Sequence, residues 1–501
     1  MEMTPTFREF VKLSKKHNFI VFSHKFYSDW LTPPSVYYGL RKSYKGESFL
    51  LESVEGQEKV CHFSFLGFMP LRTFKTKGKK IYIRGKEPIN FETKRDPLFE
   101  LKKIMSRFNL ASRKKLRFLG GFVGYFGYDM VRFYEDVGKD LPDPVNAYDS
   151  YFILPKFLIV FDHLRRQIEI FSFLFLEEKK HLKEIYFMEK ETLQRIYEKA
   201  IVPHKLPALS FSLTNVKVGS CENPFSDEVE SNFKKKDFLT AVRRAKKYIE
   251  EGEIIQTVLS QRFSLNYKAD PFTAYRYLRI LNPSPYMFYL NFKDVKLCGS
   301  SPEMLIRCEN KELTTRPIAG TRKRGRNDFE DSQLQDSLLN DPKEKAEHIM
   351  LLDLARNDLG HVAKAASVTV PIFMTIEKFS HVMHIVSEVR AKIKESEDIF
   401  SALVSCFPAG TVSGAPKVRA MQIINELEPE ARGVYAGCVG YFSFTKSLDT
   451  CIIIRTIVFK NNKAYVQAGA GIVSDSKPLN EYKETINKAK AVILAIRLAG
   501  R

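Results

Sequence analysis

The sequence predicts an α+β fold in which large antiparallel sheets are flanked by helices, and three observations carry that prediction. Strand-like segments fall in consecutive runs joined by short turns: 287–292 with 297–299, and 436–444 with 451–460 and 463–468. Short turns of this kind join antiparallel neighbours, whereas parallel strands need a long crossover. Segments with one apolar face at helical spacing separate these runs. The chain has 501 residues and 44% hydrophobic content, enough for a large core in one big domain or two to three smaller ones.

Taken in order, residues 7–16 read as a helix followed by short strands, and Ser48-Phe49-Leu50-Leu51-Glu52-Ser53 reads as a buried strand with a polar end. Strands are expected over 60–68, 73–77 and 81–83, with a turn at Gly78, and a helix over 97–108. The glycines amid aromatics at 120–128 predict a strand against which another backbone packs closely. Strands at 151–161 and 167–175 and a charged helix at 177–199 complete an N-terminal region, 1–200. Residues 201–230 carry prolines, serine, asparagine and a cysteine without periodicity and read as a linker. A second domain, 231–501, opens with a helix over 236–251, whose Phe238, Val242, Ala245 and Ile249 share one face, and a strand over 254–265. Helices are expected at 272–281, 341–357, 396–406, 415–426 and 479–499. Val439-Gly440-Tyr441-Phe442 repeats Val123-Gly124-Tyr125-Phe126, a hint of internal duplication.

The totals exclude several classes. The first twenty residues contain Glu2, Arg8, Glu9, Lys12, Lys15 and Lys16, so they form no signal-peptide core, and no later run is uncharged for long enough to span a bilayer. A cytosolic protein is expected. Seven cysteines without paired short spacings fit neither a disulfide framework nor a structural zinc site, and are expected to be reduced and mostly buried. The net charge of +20 invites a nucleic-acid reading, but the excess is spread over clusters such as 77–80, 234–236 and 322–326, and attraction of anionic small molecules explains it as well.

Two helices carry an expensive arrangement of charge. Asp341-Pro342 is a helix start and Gly360 a helix stop, and between them Glu344 and Glu347 sit three apart on one face. Glu481 and Glu484 repeat the spacing on the last helix. Together they suit Mg²⁺, which takes one or two carboxylates, several waters and a substrate anion; ordinary surface glutamates have the same spacing. Gly320 and Thr321 before Arg322, and Gly469-Ala470-Gly471 after the 463–468 strand, are anion-binding elements of the kind glycine and arginine build, without a Walker or G-x-G-x-x-G pattern. The small-residue turn 407–417, which includes Thr411, opens a helix and reads equally as structural.

RPIAGTR (316–322), AEHIMLLDLARNDLG (346–360), FPAGTVSGAPK (407–417), DTCIIIRT (449–456) and QAGAGIV with EYKET (467–485) together resemble the chorismate-utilising enzymes, most closely the anthranilate-forming members. The resemblance is dense over about 231–490. It implies Mg²⁺ held by Glu347 and Glu484, with Glu344 and Glu481 alongside, against the ring carboxylate of chorismate. It implies that Tyr435, Arg455 and the Gly469 backbone hold the enolpyruvyl carboxylate, with Lys488 near the metal end and Gly320, Thr321, Ala470 and Gly471 also lining the substrate site. Glu303 resembles the general acid for the departing C4 hydroxyl, which its apolar neighbours Met304, Leu305 and Ile306 would keep protonated. His384 resembles the histidine used as pyruvate is eliminated, and Thr411 counts with the catalytic group.

Two positions separate the relatives. Water-adding members carry a lysine base where this chain has Gln256, so ammonia is the implied nucleophile. Members forming 4-amino-4-deoxychorismate often have a lysine where this chain has Ala319, although some have alanine too, so that activity stays open beside anthranilate formation. The one approach to a glutaminase elbow, Ala436-Gly437-Cys438-Val439-Gly440, lies in a strand and lacks its first glycine, so a separate glutamine amidotransferase subunit is the implied partner. Glu52, Ser53, Pro285, Tyr286 and Met287 resemble the tryptophan site of feedback-inhibited members, and the N-terminal region would carry tryptophan-binding and partner-contacting elements. No nucleic acid and no membrane are expected as partners.

Overall fold

The computed structural model describes residues 3–53, 62–86, 88–111, 116–209, 225, 228–379 and 382–500. Most of the linker expected at 201–230, the start of the 60–68 strand, Cys61, Cys221 and His381 therefore lie outside the described residues. The fold is α+β, as expected, and every named strand pairing is antiparallel except the short parallel contact of Leu110–Ala111 with Phe19–Tyr27.

Two long strands, Phe63–Lys77 and Ser150–Asp162, organise the sheets. Instead of the two strands expected at 60–68 and 73–77, one strand bends at Met69, which has a positive φ, and slips register between Pro70 and Arg72. Proline withholds a ladder hydrogen bond and the slip turns the strand, so its first half pairs with Ser48–Glu52 and its last half with Lys80–Arg84. The first sheet continues from Ser48–Glu52 through Tyr286–Asn291, Lys296–Ser301, Thr456–Lys460 and Lys463–Ile472 to Gln256–Asn266. The second runs from Ser150–Asp162 through Gly121–Phe126, Cys438–Ser443, Leu448–Ile452, Met304–Glu309 and Glu312–Thr315 to Val382–Lys392. Strands from 1–200 thus pair directly with strands from 231–501.

The repeated Val-Gly-Tyr-Phe segments pair with each other, Gly124 opposite Gly440. A Cβ at Gly124 would fall 1.9 Å from the Tyr151 carbonyl oxygen, and one at Gly440 2.0 Å from that of Asp449. Here the glycines are demanded by the close backbone approach that the sequence predicted. One core joins Phe49, Phe74, Phe152, Leu290, Ile306 and Val439 from both sheets, and a second packs the helices Phe7–Lys16, Pro33–Ser43, Leu182–Ile201, Pro271–Leu281 and Pro478–Gly500 onto the first sheet. The described cysteines Cys298, Cys308, Cys406, Cys438 and Cys451 are free and buried. No helix among the described residues is long and apolar enough to cross a membrane.

Three local expectations change. The helix begun by Asp341 and Pro342 does not stop at Gly360 but runs to Val362, because its end is set by tertiary pairing: the Lys394 N–H donates to the Val362 carbonyl and Ala363 bridges to Ile393. A helix over Asp328–Asn340, unmarked by any apolar stripe, precedes it; only Asp331 and Leu338 are buried there. The basic cluster at 322–326 is largely consumed internally, since Arg324 pairs with Asp331 and Arg322 with Asp341 and Glu344.

Candidate active site

The helix Pro342–Val362 is capped by the Asp341 carboxylate, which accepts from the N–H groups of Lys343 and Glu344. It faces the first turns of Pro478–Gly500, and the four glutamates of the two helices do not play equal parts. Glu344 is held by Arg322 at 3.0 Å, whereas Glu347 makes no hydrogen bond or ion pair among the described residues. Burial raises the Glu347 pKa first, and the like charges of Glu344 and Glu484 add to it, with Lys488 and Lys343 opposing. Glu481 is raised by burial, which the Ser476 hydroxyl partly offsets. Glu484 meets the Lys488 ammonium at 2.6 Å. Among the described residues no three His, Cys, Asp or Glu side chains converge closely enough to form a protein cage for a metal. What the helices offer is Glu347 and Glu484 across a gap, the sparse carboxylate set that suits Mg²⁺ and a substrate anion.

Next to this gap lies the anion end. The strand expected over 451–460 is broken into Leu448–Ile452 and Thr456–Lys460, because Arg455 takes a positive φ of 51°. An arginine in this region is unfavourable and needs support. The support comes from the Lys488 main-chain carbonyl, which accepts from the Arg455 guanidinium. Arg455 makes no ion pair among the described residues, and burial lowers its pKa. An unpaired, desolvated guanidinium of this kind calls for a carboxylate. Beside it the Lys488 ammonium donates to the Gly469 carbonyl at 3.0 Å. A Cβ at Gly469 would lie 2.8 Å from Tyr435 Oη, and one at Gly471 2.8 Å from Gln256 Nε2. Both glycines lie inside the strand Lys463–Ile472 rather than after it, on the face that carries Gln256 and Ser260; Ala470 points to the opposite face.

Glu303, just before the strand Met304–Glu309, is buried. Burial pushes its pKa up to about 7, partly offset by the neighbouring Thr411 hydroxyl and by Lys488. The Gln256 amide oxygen is buried without a hydrogen-bond partner among the described residues. His384 Nδ1 lies 2.9 Å from the Gly320 carbonyl and 3.1 Å from the Thr321 hydroxyl. A carbonyl can only accept, so Nδ1 carries the proton and Nε2 is left bare. Burial lowers the His384 pKa, which keeps the ring neutral. Gly320 has φ +66°, and a Cβ there would approach Glu344 at 3.0 Å. Lys488, Arg455 and Glu344 thus link Glu303, Glu347, Glu484, His384 and Gly469 to one another, whereas Ala470 faces away.

A second cavity contains Glu52, Ser53, Pro285, Tyr286 and Met287 in its lining, with Phe63, Phe65 and Tyr441 as apolar walls. Met287 stands opposite Glu52 in the sheet, and the Glu52 carboxylate is engaged by Tyr275 Oη at 2.5 Å and by Arg279 at 3.2 Å. The polar floor was not singled out in the sequence: Asp449 accepts from Tyr286 Oη at 2.9 Å and from Arg307 Nε at 3.0 Å, with Arg117 3.7 Å away. Only the place of Asp449 at the head of DTCIIIRT hinted at it. Also unmarked was a buried pair beneath the active site, Arg432 and Glu428. Arg432 donates to the carbonyls of Val412 and Val258, and Glu428 accepts from the Ser260 N–H and hydroxyl.

Comparison with known proteins extends the likeness over the whole chain. Anthranilate synthase component 1 of Aquifex aeolicus is 46% identical over 504 residues, covering 100% of this chain and 99% of that protein. The protein of the same name from Bacillus subtilis is 40% identical over 498 residues, covering 98% and 94%. The crystal structure of anthranilate synthase component I from Streptococcus pneumoniae superposes with a TM-score of 0.74 at 37% identity, covering 88% of this chain and 95% of that one. The menaquinone-specific isochorismate synthase of Escherichia coli shares the fold at a TM-score of 0.71 and 20% identity, covering 97% and 95%. A family model described as chorismate binding enzyme matches residues 46–494, a span that holds every residue of the site and of the second cavity, and the chain belongs to that family.

Proposed function

We propose that this chain acts as anthranilate synthase component I: it adds ammonia at C2 of chorismate, expels the C4 hydroxyl as water, and eliminates pyruvate to leave anthranilate. The observation that carries this reading is the pairing of a buried acid, Glu303, whose pKa is pushed up to about 7, with an amide, Gln256, where activation of water would require a base. Full-length similarity to proteins named component 1 supports it. Glu303 donates its proton to the leaving hydroxyl, Arg455 and Tyr435 hold the enolpyruvyl carboxylate, and the bare His384 Nε2 takes the C2 proton as pyruvate departs. Mg²⁺ between Glu347 and Glu484 would neutralise the ring carboxylate and withdraw electron density from the ring. The donor set fits that ion, because Glu347 is a carboxylate without a cation of its own, beside like charges.

Ammonia comes from a glutaminase subunit in this reading. Cys438, the only approach to a nucleophile elbow, supports that division of labour: it is buried in a strand and burial raises its pKa, the reverse of an activated thiolate. Incubating the purified chain with chorismate, Mg²⁺ and ammonium salt is expected to give anthranilate fluorescence. A stable aminated product without fluorescence would instead assign the chain to aminodeoxychorismate formation.

The second cavity is read as the site of feedback inhibition by tryptophan, its apolar walls suiting an indole and its Asp449, Arg307 and Glu52 charges an amino-acid backbone. Ser53→Phe places a ring where the strand end meets the cavity. Overpacking of this kind costs about 1–3 kcal/mol, so tryptophan inhibition should weaken about 5- to 150-fold while uninhibited turnover is unchanged. Unaltered inhibition would remove Ser53 from the site.

A further inference from the structure

The turn that follows the helix Lys417–Leu427 carries Glu428 and Arg432, which are only 4% and 3% exposed. A guanidinium buried this deeply needs acceptors for its hydrogens, and Arg432 makes four such bonds. Nε donates to Glu428 Oε2 at 2.9 Å and Nη2 to Oε1 at 2.7 Å, a bidentate pair. Nη1 donates to the Val412 carbonyl at 2.7 Å, and Nη2 also to the Val258 carbonyl at 2.6 Å. Each segment joined in this way carries a residue of the site: Val412 follows Thr411, Val258 comes shortly after Gln256, and Tyr435 shares the turn with Arg432. One planar group thus ties together pieces of chain that are far apart in sequence.

Tyr435 is held from two directions. Its N–H donates to the Arg432 carbonyl at 3.2 Å, and the Arg432 guanidinium lies 5.6 Å from its ring centroid and 4.8 Å from that of Tyr128. Glu428 reaches the same phenol by another route. It accepts the Ser260 N–H at 2.8 Å, so Ser260 and Gly469, opposite each other in the ladder, form a non-hydrogen-bonded pair. The Gly469 main-chain groups are thereby turned out of the ladder, the carbonyl to Lys488 and the N–H to the Tyr435 oxygen. With its oxygen already accepting, the phenol has its hydrogen to give to a ligand. Burial pushes the Tyr435 pKa up to about 12, and the Arg432 charge is the largest influence opposing that rise, which makes the phenol a stronger donor.

We propose that Arg432, locked to Glu428, is a positioning residue for chorismate: it holds Tyr435 as a donor to the enolpyruvyl carboxylate and sets that donor at a fixed place relative to Gln256 and Thr411. This deepens the proposed function and rests on it, because Tyr435 meets that carboxylate only in a chain that binds chorismate. Arg432 itself is saturated by Glu428 and the two carbonyls, so it acts on the substrate through Tyr435 and not by contact.

The test is a double-mutant cycle read in the KM for chorismate, using the full chain with Mg²⁺ and saturating ammonium chloride. Tyr435→Phe is expected to raise that KM at least about tenfold, as loss of a hydrogen bond to a charged group does. Arg432→Lys keeps the charge, but a compact ammonium cannot reproduce the fork, and the KM should rise at least about fivefold. In the Tyr435→Phe background the same change should add less than about twofold, whereas a merely structural loosening would act with or without the phenol. Glu428→Met combined with Arg432→Met removes both buried charges together, the replacement that buried ion pairs tolerate best, and should show the same dependence on Tyr435 if lysine prevents folding. An undiminished effect in the Tyr435→Phe background, no effect in either background, or unfolding of both variants overturns the proposal. If the wild-type chain forms no aminated product, or Tyr435→Phe leaves the KM for chorismate unchanged, the functional reading has failed instead.

Discussion

Glu347→Gln is expected to lower Mg²⁺-supported turnover at least about 100-fold without unfolding the chain. Removing a group that merely orients a metal ligand typically costs about 10- to 100-fold, so loss of a ligand itself sets a higher floor. The fold should tolerate the change because the Glu347 carboxylate makes no hydrogen bond or ion pair among the described residues, and its nearest charges include the like-signed Glu344 and Glu484. Neutralising it removes repulsion and leaves no donor stranded. Glu344 provides the contrast. Its carboxylate is bound to Arg322, so Glu344→Gln should disturb the turn around Gly320 and the helix start more than it disturbs the metal. The measurement is Mg²⁺ titration by calorimetry together with anthranilate formation. Normal Mg²⁺ affinity and near-normal rates in Glu347→Gln would return this helix to an ordinary solvated face.

How much of this was legible in the sequence depended on whether the determinant was local. The capping pair Asp341-Pro342, the close backbone approach at the glycines of 120–128, and the three-residue spacing of the glutamates are written in neighbouring residues, and each is found. The end of the same helix was misplaced because it is set by Lys394 and Ile393, some thirty residues away, and not by Gly360. The strand expected over 451–460 concealed the most consequential error: its residues are mostly β-branched and apolar, as in a buried strand, and nothing local marks Arg455 as left-handed. That conformation breaks the strand and goes with the guanidinium reaching the Lys488 carbonyl. Buried networks were equally silent. Asp449 with Arg307, and Glu428 with Arg432, are pairs whose meaning lies in burial and in carbonyls contributed by other strands. Equal weight on four glutamates was likewise a limit of spacing, which shows that two residues share a face but not that Arg322 already occupies one of them.

Glu303→Gln is expected to give a chain that is more stable and nearly inactive, and both effects follow from one buried proton. Burial pushes the Glu303 pKa up to about 7 from 4.5, so at neutral pH a large fraction of the side chain is an acid able to protonate the C4 hydroxyl as it leaves. General-acid catalysis contributes about 10²- to 10⁴-fold, and kcat should fall by that factor while the KM for chorismate changes little. In the wild-type chain kcat at saturating ammonia should decline as pH rises through about 7, because the acid form is lost. The variant should lack that limb. The stability sign runs the same way. The folded state binds this proton more tightly than the unfolded state does, so ionisation of the unfolded chain above about 4.5 progressively erodes stability until the folded carboxyl ionises near 7. A neutral amide removes that penalty, worth about 3 kcal/mol above neutrality. Denaturant unfolding at about pH 5 and about pH 8 reads it directly: the two proteins should converge at the lower pH and separate at the higher. A variant that keeps its rate, or a wild-type kcat indifferent to pH between about 6 and 8, would mean that the proton delivered to the leaving hydroxyl comes from another group. The Thr411 hydroxyl and the Lys488 ammonium, which both act on Glu303, are the groups in reach.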